Sequence, residues 1–273
     1  MSTVSAWQTD YLSHPLYLPV RDAAALIAPT TWPEQADYDQ LLRRYRRQRP
    51  DALPPQLRFA CDLEPEAYYE MHIGHTGEVP TRRGNWHDWF NALAWLAWPL
   101  SKQALNRRHL RAIARGETKR GPLRDAATLL DECGIIIAVA DSAFSRMLDD
   151  LEWQRLFLEH RGDWGQRIDV HAIGHALFEV GLRPHIGWCG KALPLQVPTE
   201  FFAWEEARRL AYLDEALARL LDNDDFMPAP RALWPLPLLG IPGWWPDNES
   251  PAFYENRDYF RPTRRAKSSS VTD

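Results

Sequence analysis

The pattern of hydrophobic and polar positions is helical over most of the chain. Apolar side chains recur three or four residues apart in residues 33–49, 122–132, 142–160 and 199–221, which predicts amphipathic helices there. Residues 134–141, GIIIAVAD, are instead a short β-branched run that predicts a buried strand, and a shorter strand is expected at 167–170. The pattern therefore predicts an α+β, predominantly α-helical fold with about seven or eight helices around a small sheet.

Capping residues and prolines predict where several helices begin and end. Asn85 suits the N-cap of a helix that runs to about residue 98 and stops at Pro99. Ser101 and Thr199 are predicted N-caps of two later helices. Shorter helices are expected at residues 62–73 and 171–182.

The last part of the chain has a different composition. Residues 230–262 are rich in proline and aromatic residues and too apolar for a disordered tail, so an ordered arm over the folded body is expected. Residues 267–273 are predicted to be a disordered tail. Since no clear linker divides the rest, residues 1–266 are expected to form a single globular domain.

Composition limits the class and location of the protein. The 273-residue chain is 45% hydrophobic and 25% charged, which is typical of a globular protein. A net charge of -5 gives no general attraction to nucleic acid or membranes, and no apolar segment reaches the ~18–20 residues of a membrane span. The N-terminal residues lack a signal-peptide pattern and the three cysteines are far apart, so a cytoplasmic protein is expected. Its oligomeric state is not predicted.

The stretch NWHDWFNALAWLAWPL, residues 85–100, places polar side chains on a helix that is apolar on nearly every side. These side chains need partners, because an unpaired buried polar group costs about 1–3 kcal/mol. They are Asn85, His87, Asp88 and Asn91. One interpretation is a capped helix with a structural polar network, and another makes His87 and Asp88 a catalytic or metal-binding pair. A partly exposed surface helix is the third interpretation.

Two adjacent carboxylates, Asp131 and Glu132, end the predicted helix at 122–132. They oppose the helix dipole, so an arginine, a metal ion or another positive group is expected to offset them unless both face solvent. Arg124 lies near the beginning of the same helix and is a candidate for holding an anionic group.

Residues 169–179, DVHAIGHALFE, place His171, His175 and Glu179 four residues apart on a predicted helix, unless His171 belongs to the preceding strand. Two histidines at this spacing can hold one zinc ion, but the HExxH pattern is missing because Ala172 follows His171. The motif alone is weak evidence for a metal site. A buried structural role for His175 is the alternative.

Basic residues cluster within residues 43–49 and 102–124. Such runs are usually solvated helix faces, and no recognised nucleic-acid-binding signature accompanies them, so nucleic acid is not the expected partner. The P-loop, GxGxxG and GxSxG patterns are missing. The order His87, Asn106, His109 is faintly similar to that of some nucleases, which place the first histidine on a strand.

Several motifs together resemble a bacterial family known only as a domain of unknown function. They are NWHDWFNAL, RGPLRDAATLLDECG, GHALFE and PLPLLGIPGWWPDN, within a resemblance that runs from about residue 15 to 263. The family pattern matches Thr81, Arg82, Asn85, His87, Asp88, Asn91, Lys102, Asn106, Arg124, Asp125, Asp131, Glu132 and His175. At the position of His171 the family has an apolar residue, which weakens a two-histidine chelate. The resemblance implies no activity, cofactor or substrate.

The leading hypothesis is an enzyme with a polar pocket and a hydrolytic reaction, with or without a metal ion. Its catalytic candidates are His87, Asp88, Asn91, Asp131 and Glu132. Its substrate-binding candidates are Arg82, Asn85, Lys102 and Arg124, and the candidate metal ligand is His175. A divalent metal ion is the candidate cofactor and a small anionic molecule the candidate ligand. The alternatives are a binding or scaffold domain with structural polar groups, and a nucleic-acid-binding protein or nuclease that uses the arginine clusters.

Overall fold

The structure, a computed structural model, describes residues 6–63, 69–117 and 119–262. These residues are mainly helical, which confirms the predicted helix-rich α+β class. The α-helices of the described residues are α1 Leu18–Ala25, α2 Gln35–Gln48, α3 Tyr69–Thr76, α4 Trp86–Ala97, α5 Pro99–Ala114, α6 Pro122–Cys133, α7 Ser142–Asp149, α8 His175–Gly181 and α9 Glu206–Leu221. None of them is long and apolar enough to cross a bilayer.

Two small sheets accompany the helices. Strands β1 Arg58–Ala60 and β2 Glu78–Pro80 form a parallel pair. The larger sheet has the order β4-β3-β5-β6, and β3 is antiparallel to β4 but parallel to β5, while β5 and β6 are antiparallel. Its strands are β3 Gly134–Val139, β4 Ile168–Ala172, β5 Cys189–Gln196 and β6 Trp234–Pro237.

The central strand β3 is the strand expected from GIIIAVAD, and all six of its residues are buried. Strand β4 extends two residues beyond the expected 167–170. Strands β5 and β6 were not predicted, since Pro194, Pro235 and Pro237 interrupt their apolar pattern and proline is normally rare in strands. The sheet is therefore larger than the sequence pattern indicates.

Several helix boundaries differ from the expectations. The predicted helix 142–160 ends at Asp149, and a π-helical turn at Arg155–Glu159 follows Leu151, whose φ is 50°. A 3-10 turn, Thr199–Ala203, precedes α9, so Thr199 is not the N-cap of α9. In the predicted helix 62–73, residues 64–68 lie outside the described residues, as do residues 267–273 of the predicted tail.

Helix α5 begins at Pro99, so Ser101 lies in its first turn and is not its N-cap. The buried carboxylate of Asp214 on α9 takes over the capping role, because it accepts hydrogen bonds from the backbone N–H groups of Leu100 and Ser101 at 3.0 and 2.8 Å. This distant partner explains why the local pattern misplaced the boundary.

Helix α4 lies in the centre of the core and is buried on nearly every side. Its N-cap is Asn85, as predicted, whose side-chain oxygen accepts a hydrogen bond from the backbone N–H of Asp88 at 3.0 Å. Trp89 donates to the hydroxyl of Tyr11 at 3.0 Å, and Trp98 donates to the carbonyl oxygen of Ala172 at 2.9 Å. These contacts fix α4 to the N-terminal segment near its first turns and to strand β4 at its C-terminal end.

The proline-rich C-terminal segment is ordered, as predicted. Strand β6 adds to the sheet edge, and the side chain of Asn248 donates to the carbonyl oxygens of Leu239 and Ile241 at 2.8 and 2.7 Å. The Tyr259 hydroxyl donates to the carbonyl oxygen of Trp188 at 2.6 Å. That residues 1–266 form a single domain stays a prediction.

Candidate functional site

An open cleft of about 360 Å³ lies between α3, α4, α6 and α8. Eight of the ten site residues chosen from the sequence line it, and the two exceptions are Asn85 and Lys102. The eight are Arg82, His87, Asp88, Asn91, Arg124, Asp131, Glu132 and His175. These eight predicted polar residues therefore lie in the same cleft, although the residues that they bind there differ from those expected.

Three side chains from three helices converge in this cleft. His87 lies in the first turn of α4, Glu132 in the last turn of α6, and His175 is the first residue of α8. The two histidine Nε2 atoms are 3.0 Å apart, and Oε2 of Glu132 lies 3.9 Å from Nε2 of His87 and 3.6 Å from Nε2 of His175. His175 is buried, whereas the other two side chains are about one-third exposed to the cleft.

The three donor atoms fit a single metal ion. A point equidistant from atoms with these separations lies about 2 Å from each, which matches zinc bonds of about 2.0–2.2 Å to histidine nitrogen and carboxylate oxygen. The other ring nitrogens also face carboxylates: Nδ1 of His87 lies 3.3 Å from Glu179, and Nδ1 of His175 lies 3.6 Å from Asp131. Metal-binding histidines commonly donate a hydrogen bond to such a carboxylate, whereas these two contacts are at ion-pair distance and Nδ1 of His175 has no hydrogen bond among the described residues.

The electrostatics of these residues suit a metal ligand set. Burial lowers the pKa of His175 to about 3, so its imidazole is neutral at neutral pH and has a lone pair to donate. Burial raises the pKa of the Glu132 carboxyl, and the adjacent His87 opposes that rise. A cation between these groups would stabilise the ionised carboxylate.

Lys102 supplies the positive charge that was expected opposite the two carboxylates of α6. Its ammonium group is buried, pairs with Asp131 and donates to the side-chain oxygen of Asn91 at 2.9 Å. Asn91 in turn donates to the Tyr69 hydroxyl at 2.9 Å. Burial alone would raise the pKa of Asp131, but the net effect is a lowered pKa, for which the charge of Lys102 and its hydrogen bond to the carboxylate are the main cause. Lys102 thus holds Asp131 in place behind His175.

Asp88 is bound to Arg82, and no hydrogen bond or ion pair among the described residues joins it to His87. Its carboxylate accepts from the backbone N–H and Nε of Arg82 at 2.6 and 2.8 Å, and from Nη2 at 3.0 Å. Together with the Asn85 cap, this pairing fixes the loop that precedes α4. Within the stretch of residues 85–100, Asn85 and Asp88 therefore have structural roles, whereas His87 faces the cleft.

The expected helix 171–182 is wrong at its start, because His171 lies in β4 and α8 begins only at His175. The two histidines consequently do not share a helix face. His171 is buried near α9, where its Nδ1 lies 3.3 Å from Glu206. The partner of His175 is His87, which is 88 residues away in the sequence.

Other residues that line the cleft were not chosen as site residues from the sequence. Glu70 and Thr128 were missed, His109 appeared only in the nuclease comparison, and Arg120 only in a basic cluster. Asn106 donates to the Glu70 carboxylate at 2.7 Å, and burial raises the pKa of Glu70. Burial lowers the pKa of His109 to about 4. Glu70 belongs to the short helix α3, which has no amphipathic pattern or motif that could have identified it.

Many arginines of the two basic clusters have partners within the protein. Arg108 is fully buried and donates to the carbonyl oxygens of Leu221 and Met227, while Arg111 and Arg115 pair with Asp224. These arginines fasten α5 to the end of α9 and the loop after it. Because these arginines bind groups within the protein, they give no support to a nucleic-acid-binding surface.

The fold and the cleft define an α+β protein with a candidate metal centre formed by α4, α6 and α8. Residues 57–264 match the family described as Protein of unknown function (DUF3025), and the chain belongs to this family. Neither the search of curated proteins nor the search of solved structures found a match. The family description carries no activity, so any function must be argued from the cleft.

Proposed function

We propose that the protein holds a divalent transition-metal ion with His87, Glu132 and His175 and hydrolyses a small anionic substrate. The observation that supports this most directly is the convergence of three donor atoms, 3.0 to 3.9 Å apart, at the wall of an open cleft. Two histidines and a carboxylate form the ligand set of several catalytic zinc sites, which keep a further position for water or substrate. The exposed sides of His87 and Glu132 leave room for that position.

In this proposal the ion acts as a Lewis acid, while residues of the chain orient the metal ligands and transfer protons to or from the substrate. Asp131, held by Lys102, and Glu179 orient the two histidine rings. Glu70 lines the same cleft, and its raised pKa makes it the candidate for proton transfer to or from the substrate.

The remaining candidates from the sequence take different roles in this proposal. His87 is a ligand and not a general base, while Arg82, Asn85, Asp88, Asn91 and Lys102 support the cleft without contacting the substrate. Arg124 stays a candidate for substrate binding. We propose that the protein is a bacterial hydrolase of the cytoplasm. The three free cysteines support the cytoplasmic location, because that compartment keeps thiols reduced.

The experiment is elemental analysis of protein purified without a metal-affinity resin. We expect close to one zinc, manganese or iron ion per chain in the wild type and almost none in His87→Ala. His185→Ala is the control, since His185 is exposed and lies outside the cleft. Metal-reconstituted and chelator-treated protein are then compared on a panel of small esters, amides and phosphate esters, and hydrolysis is expected only with the ion.

Other outcomes would replace this function. Bound iron with oxygen consumption would contradict hydrolysis, because non-haem iron oxygenases use the same kind of ligand set. An absence of both metal and hydrolysis would favour the scaffold alternative, for which the buried bonds of Lys102, Asp131 and Asn91 are the supporting observation.

Gly174 provides a separate test, because it sets how closely α8 approaches the end of α6. A methyl group on its Cα would lie 2.4 Å from the backbone nitrogen of Gly134 and 2.6 Å from the carbonyl oxygen of Glu132. We expect Gly174→Ala to move His175 away from Glu132, to lower the free energy of unfolding by about 1–3 kcal/mol and to weaken zinc binding. Urea denaturation and zinc titration measure the two effects.

Gly162→Ala is the matched control, because no atom lies within 4 Å of the methyl group that it adds. Its stability should change little or rise slightly. Unchanged zinc affinity in Gly174→Ala would contradict the idea that this close approach assembles the site.

A further inference from the structure

Helix α6 carries groups of opposite charge at its two ends, and both ends line the cleft. Arg124 and Thr128 precede Glu132 by eight and four residues, and all three line the cleft. With a helical rise of ~1.5 Å per residue, their backbones lie about 12 Å and 6 Å from that of Glu132 along the helix. Arg120, just before the helix, lines the cleft as well. The basic groups therefore extend along the cleft away from the proposed metal site.

Arg124 has charge available for a ligand. Among the described residues no carboxylate lies within ion-pair distance of it, and its Nε is buried without a hydrogen bond. By contrast, Arg82 is occupied by Asp88, and Lys102 by Asp131. Arg124 is thus the basic side chain of the cleft that most clearly needs a partner.

Arg120 and Thr128 complete the same wall. Arg120 donates a hydrogen bond to the Thr128 hydroxyl, which brings the two side chains together. Among the residues that the structure describes, the carboxylate at ion-pair distance from Arg120 is that of Asp125, at 3.6 Å, and both side chains are about half exposed. An exposed ion pair of this kind contributes little stability, so a ligand can replace Asp125 at small cost.

We propose that Arg120, Arg124 and Thr128 bind the carboxylate of a substrate whose ester or amide bond reaches the metal site several bonds away. This inference rests on the proposed function and names its substrate class. In a phosphate monoester the charged group is itself the reacting group and would lie at the ion, which would leave the arginines without a partner. Arginine binds carboxylates in a directional, two-bond geometry that suits this wall.

The reaction of such a substrate is an ordinary hydrolysis. Water adds across the C–N or C–O bond: the acyl carbon gains the hydroxyl, and the leaving amine or alcohol gains the proton. A volume of about 360 Å³ is near the lower end of the ~300–1,000 Å³ found for small-molecule sites. The cleft therefore suits a short molecule that spans the two ends, and not a polymer.

The test uses hydroxamates that carry a carboxylate on a methylene chain of increasing length, together with their uncharged methyl esters. The hydroxamate chelates the ion, and calorimetry on zinc-loaded protein measures both affinities. At the best chain length we expect the acid to bind at least about 10-fold more tightly than its ester. In Arg124→Gln this ratio should fall to about 1, Arg120→Gln should lower it in part, and Arg124→Lys should retain part of it.

Arg146→Gln is the control, because Arg146 is an exposed arginine on α7 outside the cleft and its loss should leave the ratio unchanged. Each ratio is measured within one variant, so a change in the folded fraction cancels. If acid and ester bind equally at every chain length, the anion site is wrong while the metal site stands.

A protein that takes up no zinc, manganese or iron would refute the proposed function, and acetate binding to the metal-free protein would then test the anion site alone. Acetate binding that is lost in Arg124→Gln supports the anion site, and no binding to the wild type overturns it. Inorganic phosphate serves as the competing probe. Tighter binding of phosphate than of acetate, again lost in Arg124→Gln, would overturn the carboxylate as the recognised group.

Discussion

Glu132→Gln is expected to lose the metal ion while the protein stays folded. Glutamine keeps the shape of the side chain but replaces a charged oxygen ligand with a neutral amide, and within the described part of the chain the site has only two other donor residues. We expect the zinc affinity to fall by more than about 100-fold. Mutation of a residue that only hydrogen-bonds to a metal ligand already lowers metal affinity by about 10–100-fold. Titration against a chromogenic chelator measures the change.

The metal-free form of Glu132→Gln should differ from metal-free wild type by less than about 1 kcal/mol in the free energy of unfolding, because the side chain is partly exposed. Glu200→Gln is the control, as Glu200 is exposed and does not line the cleft. Equal zinc affinity in Glu132→Gln and Glu200→Gln would remove Glu132 from the ligand set.

Lys102→Met is expected to give the largest loss of stability. Methionine has a similar length, but it leaves the Asp131 carboxylate mostly buried next to His175 without its counter-charge. Removal of one partner of a buried ion pair costs about 3–5 kcal/mol, and the partial exposure of Asp131 favours the lower value. Urea denaturation should therefore show a loss of about 3 kcal/mol, and zinc affinity should fall with it.

Two comparisons show whether the lost charge is the cause. Lys119→Met removes an exposed lysine and should change stability by less than about 0.5 kcal/mol. In the double variant Lys102→Met with Asp131→Asn the buried charge is gone, so stability should recover part of the loss. A double variant no more stable than Lys102→Met alone would show that the lost charge is not the cause, and the packing of Lys102, whose Nζ lies 5.5 Å from the centre of the Trp95 ring, would then be the explanation.

Local patterns in the sequence predicted the helices and strands whose formation depends mainly on residues close together in the chain. The β-branched run identified β3, and the apolar stretch after Asn85 identified the buried helix α4 with its N-cap. The requirement that buried polar groups find partners also led to the cleft, because eight of the ten chosen residues line it.

Partners across the fold could not be predicted in the same way. That Asp88 binds Arg82, and that Lys102 binds Asp131, depends on how helices and loops approach one another, which no local pattern records. His171 was misplaced because its spacing from His175 fits a helix, whereas its hydrogen bonds are those of the sheet edge. Glu70 was missed because the short helix α3 has no marked pattern.

The most direct test of the metal centre is a zinc K-edge X-ray absorption spectrum of the zinc-loaded protein. We expect scattering from two imidazole rings and from oxygen ligands at about 2.0–2.2 Å, and His87→Ala should hold too little zinc to give this spectrum. Sulfur scattering at about 2.3 Å, or a spectrum with oxygen ligands only, would contradict a site formed by His87, Glu132 and His175.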